Sequence, residues 1–344
     1  MNHFISDERY PNFKRAAMNS NKMKAIVNRK FGTPDVFELQ DVEMPTPKAN
    51  EVLVKVRAAS INSWDWDYLR GKPYLYRLLF GFLKPKHNIL GADIAGIVEA
   101  VGKNVNRLQP GDEVYGDLSG CDWGGFAEYA CARENVLAKK LPGLTFEEAA
   151  AVPQAGVLAL QGLRYNGEIQ PGQKILINGA GGGVGTFGVQ IAKLSGAEVT
   201  VVDRTEKLEM LRSLGADHVV DYTKEDFTKN GQRYDLIIDV VAHKSISDYK
   251  RALNPNGVFV VIGGSIALML KVVFLGSWIA RSERKKLGIL AHKVSIRDLD
   301  YLSELFETGK VKPIVDKCYP LSEVAEAFRY FGKGHFKGKV VISI

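Results

Sequence analysis

Cysteine is scarce in this chain: Cys121, Cys131 and Cys318 are the only three among 344 residues. They are scattered and odd in number, make no C-x-x-C pair and imply no disulfide framework, which points to a reducing, cytoplasmic setting. The N-terminus lacks the apolar h-region of a secretory signal. Internal repeats and low-complexity tracts are absent as well. Positive charge is in excess, at +7 overall with a pI near 9.1, but it is not laid out as one basic stripe. Part lies in Arg9, Lys14, Arg15, Lys22 and Lys24, and another part between Arg281 and Lys286. That layout argues against nucleic acid as a partner, while a positive field suits a polyanionic dinucleotide. A membrane span is also missing. Val258–Ala280 has the length, but Gly257-Val-Phe-Val-Val-Ile262 reads as a strand ending on Gly263-Gly264. The remainder, Ile266–Ile279, reads as a buried or dimer-contact helix. A membrane-surface patch continued by the basic run is the alternative.

What the chain does have is Lys174-Ile-Leu-Ile-Asn-Gly-Ala-Gly-Gly-Gly-Val-Gly185. A buried-strand run ends there in a glycine turn, and a helical pattern follows from Thr186 to Leu194. Such a turn lets backbone N–H groups and a helix N-terminus meet a pyrophosphate. A second strand, Glu198-Val-Thr-Val-Val202, ends at Asp203-Arg204, where a ribose is normally read. The pair predicts dinucleotide binding.

The length predicts two domains. Residues 1–22 are polar and aperiodic, a disordered tail, with Met1, Met18 and Met23 as possible starts of translation. From 23 to 150 the pattern is mostly β, with half-buried alternation over 51–58, 94–101 and 112–115. Thr145-Phe-Glu-Glu148 has capping-box spacing, and Pro153 interrupts the helical pattern before Val157–Tyr165. Over 151–292 strands at 174–178, 198–202, 218–220, 235–240 and 257–262 alternate with helices, which predicts βαβ units on a parallel sheet. Residues 293–344 return to the first domain.

With these parts placed, the chain resembles the medium-chain dehydrogenase/reductase superfamily, in its zinc-free quinone oxidoreductase-like branch. The resemblance rests on Pro47-Lys-Ala-Asn-Glu-Val-Leu-Val-Lys-Val56, Leu90-Gly-Ala-Asp-Ile-Ala-Gly-Ile-Val98, Gln109-Pro-Gly-Asp-Glu-Val114, the turn Gly179–Gly185, Leu214-Gly-Ala-Asp-His-Val-Val-Asp-Tyr222 and His335-Phe-Lys-Gly-Lys-Val340. It covers nearly everything from Met23 to Ile344. It implies an α/β protein, with a GroES-like β-rich catalytic domain interrupted by a Rossmann doubly wound domain and the cofactor in the cleft between them. The zinc ligands of related alcohol dehydrogenases are replaced: Asn62 stands at the first position, Ala92 in Gly91-Ala92-Asp93 at the histidine, and Gln154-Ala155-Gly156 at the third. The four clustered cysteines of a structural zinc lobe are missing too. No zinc is expected.

Within that alignment Ala180, Gly181, Gly182, Gly183, Val184 and Gly185 form the phosphate turn. Asp203 accepts from a ribose 2′-hydroxyl and disfavours a 2′-phosphate, or else caps the next helix. Arg204 and Lys207 would grip that phosphate together with Tyr222. The balance predicts NADPH, with NADH as the alternative. Gly263 and Gly264 would pass near the nicotinamide, and His335, Phe336 and Lys337 match a segment reaching back to the cofactor. Asn62 is the candidate for orienting the nicotinamide or a substrate carbonyl, with Asp65 and Tyr68 as polar contacts or proton donors, or as scaffold. Trp64, Trp66, Tyr74, Tyr76, Phe80 and Phe82 would line an apolar pocket, or else serve as core and lid packing.

The expected activity is NAD(P)H-dependent reduction of small apolar conjugated carbonyls or quinones by a homodimer. A zinc-less alcohol dehydrogenase and a cofactor-bound non-catalytic protein are the competing readings.

Overall fold

The computed structural model describes residues 22–344. The tail expected over 1–22 lies outside the described residues except for Lys22, which opens the first strand instead.

The first domain grows from alternating sequence. Strands β1 (Lys22–Val27) and β2 (Glu38–Glu43) pair antiparallel. Then β3 (Glu51–Ser60) buries Val52, Val54 and Val56 and becomes the hub of a second sheet. It pairs with β4 (Asp93–Val101) and β6 (Tyr129–Arg133), while β5 (Glu113–Asp117) joins β4 to β7 (Leu137–Lys139). Between β3 and β4 lie α1 (Ser63–Arg70) and a single helical turn, α2 (Arg77–Phe80). Thr145 caps α3 (Phe146–Ala150) as its spacing predicts, accepting from Glu148 N at 3.1 Å. Pro153 does not interrupt the next helix but opens it, occupying the first turn of α4 (Pro153–Leu163), where no intrahelical N–H is needed.

The second domain is a parallel sheet buried on both faces, which is why its strands read as apolar runs. It comprises β8 (Lys174–Asn178), β9 (Glu198–Asp203), β10 (His218–Asp221), β11 (Tyr234–Asp239), β12 (Leu253–Val261) and β13 (Lys286–Ile289), in the spatial order β10-β9-β8-β11-β12-β13. Every pairing is parallel. The order reverses between β8 and β11, and dinucleotides bind outside the strand ends at such a switch point. Helices α5 (Gly183–Leu194), α6 (Thr205–Ser213), α7 (Ile246–Ala252) and α8 (Ile266–Glu283) provide the crossovers. Strand β13 is absent from the sequence reading. Of the buried or dimer-contact helix expected over 266–279, α8 buries one face, with Leu268 and Val272 packed inward, and leaves Leu270, Val273 and Phe274 exposed. Among the described residues no helix is long and apolar enough to cross a membrane.

After α9 (Ile296–Glu307) the chain returns to the first sheet. Strand β14 (Val315–Pro320) pairs with β15 (Lys339–Ser343), which lies antiparallel to β3, and α10 (Val324–Gly332) connects the two. The return brings Gly338 against the second domain, its N–H donating to Gly181 O at 2.8 Å. A cleft of about 590 Å³ runs between the two domains.

Candidate active site

The phosphate turn begins where β8 ends, with Gly179 at φ +78°, a left-handed conformation that glycine adopts without strain. The glycines that follow do different work. A Cβ on Gly182 would meet nothing closer than 3.8 Å, so the space over the start of α5 is open. Gly182, Gly183 and Val184 line the cleft, and this open helix start fits a pyrophosphate. Ala180, Gly181 and Gly185 support the turn from behind instead. A Cβ on Gly181 would fall 2.4 Å from Lys207 Cδ, and one on Gly185 2.3 Å from Ala180 Cα. Gly185 thus packs against Ala180 and is not on the cleft wall. Gly185→Ala should cost about 1–3 kcal/mol by forcing backbone apart, read as a lower Tm; an unchanged Tm would show that the turn yields freely.

At the end of β9, Asp203 is buried and both its oxygens are engaged: Oδ2 accepts from Gly181 N at 2.7 Å and Oδ1 from Arg204 N at 2.9 Å. Its charge sits 3.9 Å from Lys207 Nζ. It braces the phosphate turn, and the helix N-cap is Arg204, not Asp203. Lys207 is buried too, its ammonium 5.1 Å from the centre of the Phe336 ring. Burial lowers its pKa. Asp203, Arg204, Lys207, Tyr222 and Phe336 all face the cleft. His335 stands beside them on the surface, with Nε2 3.2 Å from Arg204 Nη1 and Nδ1 3.2 Å from Glu206 Oε1. Lys337 stays off the cleft wall. Gly263 and Gly264 lie on it beyond β12; Gly264, at φ +128°, bridges to Ala242.

Across the cleft, Asn62 ends the segment after β3 and is 6% exposed. Its Oδ1 accepts from Lys339 Nζ at 2.5 Å. An ammonium can only donate, so this contact fixes which end of the amide is oxygen. Nδ2, beside the Asp93 carboxylate, has no hydrogen bond of good geometry. Lys339 also reaches Ile61 O at 3.2 Å and lies 3.6 Å from Asp93 Oδ2. Its stem packs on the phosphate turn, where a Cβ on Gly183 would fall 2.6 Å from Lys339 Cδ. Burial lowers the Lys339 pKa against the pull of Asp93, and burial lifts Asp93 to about 6. Lys339 was missed in the sequence reading, although a lysine leading the apolar run Val340-Val341-Ile342 is a signal of sorts.

Asp65 and Tyr68 prove to be scaffold, away from the cleft. Asp65 is fully buried and accepts from Asn62 N at 2.8 Å and Gly91 N at 3.0 Å, and burial pushes it up to about 7. It therefore sets the backbone that carries Asn62. The Tyr68 hydroxyl donates to Phe80 O and accepts from His87 N, with its ring stacked on Phe80. The carboxyl that does reach the wall is Asp67, lifted to about 6 by burial. Of the aromatics, Trp64 and Tyr76 line the cleft and stack at 6.2 Å, whereas Trp66 packs on Phe328 and Phe331. Tyr74 and Phe82 point to solvent.

The positions where zinc ligands would stand hold Asn62, Ala92 and Ala155, and no three His, Cys, Asp or Glu side chains that could hold a metal converge among the described residues. This donor set does not fit zinc. Fold and site together define a dinucleotide-dependent oxidoreductase that works without that metal.

Residues 48–143 match the family described as "Alcohol dehydrogenase GroES-like domain", and residues 214–342 that described as "Zinc-binding dehydrogenase". The chain is 35% identical over 332 residues to 2-methylene-furan-3-one reductase of Solanum lycopersicum, covering 93% of this chain and 79% of that protein. It is 34% identical to the chloroplast envelope quinone oxidoreductase homolog of Arabidopsis thaliana, covering 89% and 93%. The solved quinone oxidoreductase of Coxiella burnetii superposes with a TM-score of 0.84 at 31% identity, over 94% of this chain and 99% of that one. The chain belongs to the zinc-free, quinone oxidoreductase-like branch of the medium-chain dehydrogenase/reductase superfamily.

Proposed function

We propose that the protein reduces quinones or α,β-unsaturated carbonyls, with NADPH as the preferred hydride donor and Asn62 as the group that receives the charge developing on the substrate oxygen. The observation that carries this reading is the Asn62 amide on the cleft wall: Lys339 holds its oxygen, and its Nδ2, buried beside the Asp93 carboxylate, is without an aligned acceptor. A fixed buried donor costs little reorganisation as negative charge grows beside it. The bound nicotinamide supplies the hydride; the chain's part is to hold both reactants and stabilise the oxyanion. A conjugated acceptor suits this arrangement because its oxygen takes the charge without a Lewis acid, whereas a simple alcohol would need stronger help to ionise. Trp64 and Tyr76 offer an apolar wall for a flat substrate. Burial lifts the Asp67 carboxyl on the same wall to about 6, so it is protonated only below neutral pH.

NADPH is favoured because Arg204, Lys207 and Tyr222 face one end of the cleft while Asp203 is occupied by two backbone N–H groups. An acid already satisfied by its own backbone opposes a 2′-phosphate less than a free one. The free thiols of Cys121, Cys131 and Cys318 suit a reducing compartment. A homodimer fits the same reading, β13 being the outermost strand of its sheet.

The test is NADPH and NADH oxidation across a panel of quinones, enones and saturated carbonyls, in excess EDTA throughout. The conjugated acceptors should turn over with NADPH, undiminished by the chelator. Activity lost to EDTA, or confined to simple alcohols, would defeat the reading. Tight NADPH binding with no turnover on any acceptor would favour a non-catalytic role.

A further inference from the structure

The segment between α1 and β4 carries, apart from Tyr76, a surface that the reaction does not use. Residues 68–92 contain five cations, Arg70, Lys72, Arg77, Lys84 and Lys86, and no acid. The same stretch exposes large apolar side chains: Leu78 is 70% exposed, Phe82 72% and Leu83 85%, with Tyr74 and Leu75 also more than half exposed. Isolated apolar residues on a surface need no explanation, but five within ten positions form a patch. Among the described residues Lys72, Lys84 and Lys86 make no ion pair, and all three are exposed. The Arg77 guanidinium lies over the Phe31 and Tyr74 rings, at 4.8 and 5.1 Å, and Lys72 Nζ lies 5.9 Å from the centre of the Tyr74 ring, so two cations already face the aromatic side of the patch.

We infer that this segment docks the protein on an anionic lipid bilayer, with Phe82, Leu83 and Leu78 entering the acyl boundary and Lys72, Lys84 and Lys86 meeting headgroup phosphates. Apolar side chains framed by lysines without ion pairs have the composition of an interfacial anchor, and a segment with five cations and no acid of its own complements an anionic leaflet. Position adds a reason. Tyr76, in the same segment, stacks on Trp64, and both line the cleft, so the patch runs into its apolar wall. A bilayer is where quinones and other apolar conjugated carbonyls accumulate. On the proposed reaction, docking would place the cleft mouth beside that pool.

The experiment is co-sedimentation of the full chain with phosphatidylcholine vesicles, with and without about one third phosphatidylglycerol. Binding should require the anionic lipid and weaken at about 0.5 M salt, where exposed charges are screened over a few ångströms. Charge reversal at Lys72, Lys84 and Lys86 should lower the partition coefficient at least about a hundredfold, since each lysine near an anionic surface contributes about fivefold. Phe82→Asp with Leu83→Asp should lower it at least about tenfold. Both variants should keep the wild-type melting temperature and far-ultraviolet circular dichroism, which shows they are folded. Sedimentation involves no turnover, so it succeeds or fails independently of the assigned reaction. Absence of enrichment on anionic vesicles, or wild-type binding by both variants, would overturn the inference. So would a wild-type dimer that Phe82→Asp with Leu83→Asp dissociates, since the patch would then join two copies of the chain.

Discussion

Asn62→Ala should lower kcat by at least about a hundredfold while changing NADPH affinity by no more than about twofold. Loss of one oriented oxyanion donor has that cost in other enzymes, because the interaction strengthens only as charge develops. The effect should be large here because the amide has little freedom: Lys339 holds its oxygen at 2.5 Å and Asp65 holds its backbone N–H at 2.8 Å. Steady-state kinetics on an enone, paired with a cofactor titration, separates the two quantities. If KM rises and kcat holds, Asn62 contributes ground-state binding alone, and the oxyanion role is lost.

The second large effect is on cofactor choice. Arg204→Ala should weaken NADPH relative to NADH by about 1.5–3 kcal/mol, roughly ten- to hundredfold, the range for a charge-assisted contact to phosphate. Arg204 is poised for it, facing the cleft with His335 and Glu206 steadying its guanidinium. Lys207 is a weaker candidate for the same duty, since its ammonium lies over the Phe336 ring and near Asp203. Dissociation constants for both cofactors, measured on wild type and variant, decide the matter. An unchanged ratio would remove the main support for NADPH.

Local pattern carried much of the fold into the sequence. The apolar runs of β8, β9 and β12 and the alternation of β3 follow directly from which faces are buried, and the glycine turn with its following helix is a contiguous signal. Strand β13 was not legible because two of its four residues are Lys286 and Gly288, and it follows a basic run. The site was harder to read. Asp65 and Asp67 are two apart on one short helix and point to different surroundings, one into the scaffold and one onto the cleft wall. No spacing rule tells them apart when Trp64 and Trp66 alternate with them. Gly183 and Gly185 look equivalent in a glycine motif, yet one faces the cleft and the other abuts the backbone of Ala180. Lys339 meets Asn62 across 277 positions, a contact that exists only once the sheet has closed.

The pairing of β15 with β3 has a further consequence. Strand β7 ends at Lys139 and β14 begins at Val315, so the whole parallel sheet is a stretch of about 175 residues between two strands of one neighbouring sheet. While that stretch is folded, its phosphate turn is tied to the segment leading into β15 by Gly338 N–H on Gly181 O. Were it to melt, β14 and β15 would hang on a long floppy tether, and recapturing them would carry the loop-closure entropy of a chain that length. The β-rich sheet would lose two strands' worth of pairing at the moment the inserted sheet came apart. Heat or denaturant should therefore meet one cooperative unit, with cofactor added to one sheet raising the melting point of both.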